Sequence, residues 1–307
     1  MNISWLLARS IKTRITAAAL GAVLVCMGAM AVYVSALLQR DLQRVLGVQQ
    51  FATATLEAAD VDRDIRNRIK ALESVAAGIG PAMMDNLSAL QDHLLQRRVF
   101  LALFNAGVVA YRPDGAAMAE LPLETGRIGI NYADRDYFLG ALQGQPTIGK
   151  PHVSKSKSFQ EFILSVPIRA PSGQVLGVLA GVTNLSRPNF LDEYVEQRYG
   201  KSGGYVLVDA THRLIITATD KTRVLEPLPA PGTDPALDTF LNGSVEPAVM
   251  RDSKGQEILA VYAAVPSTHW RLAVVLPTQE GFAPIQRLRE RMLVSILMFT
   301  LLAGGLL

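Results

Sequence analysis

Gln160-Glu161-Phe162-Ile163-Leu164-Ser165-Val166-Pro167 and, 96 residues later, Gln256-Glu257-Ile258-Leu259-Ala260-Val261-Tyr262 are the stretches on which the fold turns. Both begin Gln-Glu and are rich in residues that favour a pleated, half-buried surface. Each leads through a turn into a long apolar strand, at 175–182 and at 270–276. A second correspondence lies upstream. Residues 99–104, Asn105-Ala106-Gly107 and 108–111 read as strand, tight turn and strand. Residues 205–208, Asp209-Ala210-Thr211-His212 and 213–217 repeat that order 104 residues on. The two offsets nearly agree, so two tandem copies of one α+β module with antiparallel sheets are expected.

Upstream of the modules, residues 39–78 lack proline and space Leu42, Val45, Leu46, Val48, Phe51, Leu56, Val61, Ile65, Ile69, Leu72 and Val75 as an amphipathic helix would. Gly47 is its weak point. The chain turns at Gly78-Ile79-Gly80-Pro81, and a second helix is expected over 84–98.

The flanks are apolar. Residues 15–38 carry no charge and reach about 36 Å as a helix, enough to span a hydrocarbon core of roughly 30 Å. A signal peptide cleaved after Ala29-Met30-Ala31 is the alternative, but the apolar run continues seven residues further than its site requires. Arg9, Lys12 and Arg14 place the N-terminus in the cytoplasm. Residues 292–307 form a second apolar run of about 24 Å, which reads as a second transmembrane helix cut short.

Charge and thiol content exclude several function classes. The net charge of +3 comes from the flanks, because residues 39–286 hold 24 basic and 26 acidic side chains. No nucleic-acid partner is expected from that balance. Cys26 alone allows no intrachain disulfide or Cys-based zinc site, and the four histidines are too dispersed for a paired metal motif. Neither a metal nor a cofactor is expected. Gly200-Lys201-Ser202 lacks the first glycine of a P-loop, with Val195 in its place. The same glycine-rich stretch precedes a strand and so cannot be a nucleophile elbow. Ser154-Lys155-Ser156-Lys157 has no partner motifs for an acylating serine. The chain is read as a non-enzyme, with a membrane-tethered enzyme or a structural anchor as the competing classes.

Asp134-Arg135-Asp136-Tyr137-Phe138, Ser165-Val166-Pro167-Ile168-Arg169 and Gly177-Val178-Leu179-Ala180-Gly181 together resemble the double Cache sensor region of bacterial transmembrane receptors. The resemblance covers roughly residues 15–307. With Gln49-Gln50-Phe51 behind the anchor, it is most similar to receptors ending in a diguanylate cyclase or sensor kinase; a chemotaxis receptor is the alternative. It implies a long N-terminal helix packed along two PAS-like modules. A small-molecule ligand would bind the membrane-distal one, and motion would pass through the proximal one. The implied organisation is a cytoplasmic N-terminus (1–14), a first transmembrane helix (15–38) and stalk helices (39–98). A distal module (99–198), a proximal module (199–280) and a second transmembrane segment (281–307) follow. The chain is placed in a bacterial inner membrane with residues 39–286 in the periplasm. A homodimer is the expected assembly, and a periplasmic binding protein is a possible further partner.

Within the distal module, Asp134 reads as the N-cap of a short helix ending near Leu142. Arg135 in its first turn would sit where amide N–H groups favour an anion. A guanidinium there suits a carboxylate, with Tyr132 and Tyr137 as hydroxyl donors and aromatic walls. Side chains two apart on a regular helix point about 200° apart, so Arg135 and Tyr137 share a pocket only where the helix is just starting. Amino-acid-binding relatives show Tyr, four residues, Arg, one residue, Trp-Tyr, and a later Asp. Here Ile130, Tyr137 and Phe138 replace three of these, and Asn184 stands near the last. A ligand ammonium would lack a carboxylate, which favours an organic acid over an amino acid. Ser154 and Asn184 complete the expected polar contacts.

Overall fold

The computed structural model describes residues 11–123 and 125–305. One helix, α1 (Ile11–Ala76), runs unbroken for 66 residues, roughly 100 Å. It is the one helix among the described residues long and apolar enough to cross a membrane, and its apolar window is almost wholly exposed. Further along, Ala54, Ala58, Val61, Ile65, Leu72 and Val75 form a buried stripe. Val45, Val48 and Leu56 were expected on that stripe but are exposed. At about 100° per residue they lie some 180–240° around the helix from Ala54, on the face away from both sheets. Gly47, expected as a weak point, is a packing site: a Cβ there would meet the Pro247 ring at 2.3 Å.

Three short helices follow, α2 (Pro81–Met84), α3 (Leu87–Leu95) and α4 (Phe100–Leu103). The expected single helix over 84–98 is interrupted at Asn86, whose side chain accepts from the Ala89 N–H and starts α3 afresh. The expected strand at 99–104 is instead α4. Only Val99 in that run is β-branched, and the helical turn stacks Phe100 on Phe104 and buries both in the main core.

The first sheet contains β1 (Val108–Tyr111), β2 (Ala117–Leu121), β3 (Thr147–Ile148), β4 (His152–Val153), β5 (Gln160–Arg169) and β6 (Val175–Asn184), with α5 (Asp136–Leu142) inserted after β2. Its order is β2-β1-β6-β5-β3, and β4 also pairs with β5. After α6 (Asp192–Val195) comes the second sheet: β7 (Gly204–Asp209), β8 (Leu214–Ala218), β9 (Ala248–Arg251), β10 (Glu257–Ala264) and β11 (Trp270–Pro277). Its order, β8-β7-β11-β10-β9, reproduces the first. Helix α7 (Pro235–Leu241) covers one face. After α8 (Thr278–Gly281), helix α9 (Ala283–Gly305) returns along the N-terminal half of α1.

The duplication holds, but its register corrects the sequence alignment. Tyr111 pairs with Val178 and Val208 with Arg271, while Ser165 pairs with Ala180 and Tyr262 with Ala273. The bulge in the first hairpin falls between Ala110 and Tyr111 in one module and between Leu207 and Val208 in the other, so equivalent positions on the first strands are 97 apart, and the true first hairpin is β1–β2, turning at residues 112–116. The Gln-Glu match is one residue out of step. Glu161 corresponds to Ile258, whereas Glu257 is largely exposed beside Arg251. A one-residue slip exchanges the two faces of a strand.

Both sheets lay their other face on α1. Gln50 donates to the Leu259 carbonyl, and the buried Asp62 accepts from the Ser267 N–H at 2.6 Å. The first sheet sits further from the apolar end, where Arg68 donates to Leu103 O and lies 3.5 Å over the Phe190 ring.

Candidate functional site

The face of the first sheet turned away from α1 carries Val109 and Tyr111 on β1, Ile163 and Ser165 on β5, and Val178, Ala180 and Val182 on β6. Strand alternation puts Glu161 on the same face, opposite Asn184. Helix α5 covers this face and drops Tyr137, Phe138 and Ala141 onto it. The Ser165 hydroxyl donates to the Tyr137 carbonyl at 2.8 Å and pins the start of the helix to the sheet. Tyr132 closes the side, its ring 5.2 Å from that of Tyr111 and edge-on to it. His152 stacks on Tyr137 and brings Nε2 to 3.3 Å from Glu161 Oε1, without hydrogen-bond geometry.

Six polar atoms are left buried here without a hydrogen-bond partner among the described residues. They are the hydroxyls of Tyr111, Tyr132 and Tyr137, Arg135 Nε, His152 Nε2 and Glu161 Oε2. Buried polar groups are ordinarily paired, because each unmade bond costs about 1–3 kcal/mol. Six such atoms lie together on or beside one helix and one sheet face. Burial raises the pKa of Tyr111, Tyr132 and Tyr137, and for Tyr137 the neighbouring Tyr111 and Glu161 raise it further. All three hydroxyls therefore keep their protons near neutral pH and can donate to a ligand.

The sequence-predicted residues fall in three places. Tyr137 and Tyr132 come together around Tyr111, and Arg135 stands at the start of α5 beside them in sequence with its Nε buried. Arg135 is the N-cap of α5 in an extended conformation (φ −87°, ψ 136°), one residue earlier than expected, so helix geometry does not set it opposite Tyr137. Asp134 is not the cap. Its exposed carboxylate pairs with Lys155, whose ammonium lies 5.4 Å from the Tyr132 ring centre and latches the β4–β5 loop over the cage. That pairing holds the Asp134 carboxyl below its ordinary range. Asp136 instead accepts from the Lys150 N–H at 2.7 Å. Ser154 lies in the same loop, 3.4 Å from the Ser156 hydroxyl. Asn184 spends its side-chain oxygen on the Ser186 N–H and lines an adjoining cleft.

Glu161, His152 and Tyr111 were not anticipated. Glu161 had a signal in the sequence, as an acid in step with Ile163 and Ser165 along an apolar strand. It puts a buried carboxylate on the face that the sequence reading left without one.

Residues 9–285 match the family model of the Cache domain. No curated protein sequence matches the chain. Among solved structures, the ligand-binding domain of the Pseudomonas fluorescens chemoreceptor CtaA, in complex with L-serine, is 18% identical with a TM-score of 0.57. The match covers 78% of this chain and 99% of that one. The Pseudomonas aeruginosa PAO1 amino-acid chemoreceptor PctB, with L-Arg, gives 16% identity and a TM-score of 0.59 over 78% of this chain and 97% of its own. The PctC domain of the same organism, with GABA, gives 21% identity and 0.55 over 77% and 100%. At these identities the likeness is one of fold.

Proposed function

The chain belongs to the Cache domain family, and from that premise we propose that it is the extracytoplasmic sensor region of a membrane receptor, binding a small amine-bearing ligand in its first module. The observation that carries this reading is the cage of buried, unpartnered polar atoms between α5 and the sheet. Glu161 would take the ligand's ammonium, Arg135 would take a carboxylate through its free N–H, and the tyrosine hydroxyls would fix orientation. An organic acid, favoured from sequence, would set a second anion against Glu161. L-serine, L-Arg and GABA, the ligands named for these three chemoreceptor domains, each carry an amine, and the likeness favours a chemotaxis output over a cyclase or kinase. The apolar part of α1, with α9 beside it, would anchor the sensor in the membrane, and two such chains would pair through these helices. Binding would shift the balance between two packings of the modules on α1, by as much as the ligand prefers one of them.

The test is calorimetric titration of the full chain in lipid nanodiscs with amino acids, γ-amino acids and simple amines, for wild type and Glu161→Gln. A hydrogen bond to a charged group is worth about 1.5–3 kcal/mol, so the substitution should weaken binding roughly 10- to 150-fold. An amine that binds Glu161→Gln as well as wild type, or a wild-type protein that binds only organic acids, would refute the assignment.

A further inference from the structure

The second sheet has an outer face of its own, and α7 does not fill all of it. Leu237, Phe240 and Leu241 of that helix join Val208, Ile215, Ile258 and Tyr262 in one buried cluster. Beside the cluster remains a cavity of about 330 Å³, walled by residues 226–229, by the start of α7 and by the β9–β10 turn. Its floor is Val206, Val208, Ile258, Tyr262 and Val275, from β7, β10 and β11. This is the place that the cage holds in the first module. Val208, Ile258 and Tyr262 stand at the ladder positions of Tyr111, Glu161 and Ser165.

The charges on the cavity wall already have partners. Arg223 donates to both oxygens of Glu226, at 2.7 and 3.2 Å. Asp252 accepts from the N–H groups of Lys254 and Gln256 in its own turn, and Asp234 accepts from the Leu237 N–H as the cap of α7. Arg251 is largely exposed beside Glu257. Nothing on this wall calls for a charged ligand, and an ion would lose hydration over an apolar floor.

One polar group belongs to the floor. The Tyr262 hydroxyl makes no hydrogen bond to a described residue. The residue is 7% exposed and lines the cavity, so the hydroxyl is wetted there and available to a ligand. Its ring is held by stacking on Phe240, with centroids 4.8 Å apart. Burial pushes its pKa up to about 12, with Asp234 adding to the rise and Arg223 opposing it. The hydroxyl therefore keeps its proton and can donate or accept.

We propose that this cavity is a second ligand site, taking a small neutral molecule with an apolar body and one hydroxyl or carbonyl group that meets Tyr262. At the roughly 30 Å³ that a water takes up in the liquid, the space suits about ten non-hydrogen atoms. The site shares no residue with the cage and does not depend on the amine-binding reading.

The experiment is methyl NMR of the full chain in nanodiscs, labelled at its methionine methyls. Met250 lines the cavity, and Met250→Leu identifies its signal, so probe dissolved in lipid does not count as binding. The probes are benzyl alcohol and 1-hexanol, each with its amine, carboxylate and hydrocarbon counterparts. At least one alcohol should saturate the Met250 shift with an affinity tenfold or more above its amine and carboxylate. Tyr262→Phe should weaken that alcohol about 2- to 12-fold, the worth of a neutral hydrogen bond, and leave the hydrocarbon within about twofold. Val275→Phe, which fills the cavity from a half-buried position, should abolish the response, and serves if Tyr262→Phe disturbs the fold. Glu161→Gln should leave the response unchanged, which separates this site from the cage. The proposal is overturned if neither alcohol saturates the shift, or if an amine or carboxylate binds as tightly as its alcohol. Equal losses for alcohol and hydrocarbon in Tyr262→Phe, or binding that survives Val275→Phe, would overturn it as well.

Discussion

Removing a hydroxyl from the cage should make the protein more stable. Tyr137 is fully buried, and its hydroxyl faces that of Tyr111 without either meeting hydrogen-bond geometry. An unsatisfied buried polar group costs about 1–3 kcal/mol, so Tyr137→Phe should recover at least about 1 kcal/mol in the absence of ligand. For a folded region of this size that is a rise in melting temperature of roughly 2–4 °C. Tyr194 is the matched control, because its hydroxyl donates to Asp64 Oδ2 at 3.0 Å and ties α6 to α1. Tyr194→Phe loses a bond to a charged acceptor and should fall by a comparable or larger amount. Differential scanning fluorimetry of the two variants tests the contrast in sign, and titration with an amine ligand should show Tyr137→Phe alone losing affinity. Destabilisation by Tyr137→Phe equal to that by Tyr194→Phe would show that its hydroxyl is bonded within the fold, and the recognition argument would fail at that residue.

Two further outcomes follow from the contacts around α1 and the second sheet. Asp62→Ala should cost about 1–3 kcal/mol, because it strands the Ser267 N–H that holds the β10–β11 turn to α1; chemical denaturation measures this, and a loss below about 0.5 kcal/mol would show that the turn is held elsewhere. Asp220 has its carboxyl lowered to about 2 by hydrogen bonds from Thr222 and Lys254, so its small, largely exposed contribution should be complete above about pH 4 and vanish as pH falls through about 2. Carboxyl NMR titration should place its midpoint there, and Lys254→Met should move it upward; a midpoint insensitive to Lys254 would contradict the ion pair between them.

Much of this architecture could be read from the sequence, because patterns several residues long carry it. The apolar run before Arg40, the stripe from Val61 to Val75 and the paired long strands are repeated signals that no single substitution erases. The failures occurred where one residue decides. At 99–104, apolar character alone did not separate strand from helix, and the burial of Phe100 and Phe104 settled it. In the repeat, the Gln-Glu coincidence hid a one-residue offset visible only in the hydrogen-bond ladder. Glu161 is buried on its strand, whereas Glu257, its match in the sequence alignment, is largely exposed. Arg135, Tyr137 and Tyr132 were singled out through the family resemblance of the segment around them, whereas Glu161, His152 and Tyr111 converge from three strands that only tertiary structure brings together.

The ladder also says why the unmet polar groups gather in one module of the two. At the positions equivalent to Tyr111, Glu161, Ser165 and Asn184, the second sheet has Val208, Ile258, Tyr262 and Pro277. One copy of the face is therefore mostly apolar and closes over α7 as ordinary core, while the other bears the acid, the hydroxyls and the amide. Buried polar atoms without partners are concentrated in the first module, and the two in the second, Arg213 Nη2 and Asp238 Oδ1, belong to side chains already joined by an ion pair at 2.8 Å. A fold that leaves six of the eleven such atoms among its described residues together in one place keeps a local instability that packing alone would remove. Strand β5 sets the consequence. Its odd-numbered residues Glu161, Ile163 and Ser165 face the cage, and its even-numbered Phe162, Leu164 and Val166 face the α1 core. Phe162 also lies edge-on to Trp270, 5.3 Å away at the head of β11. A ligand that draws on Glu161 thus acts on the strand that also holds the long helix and touches the second sheet.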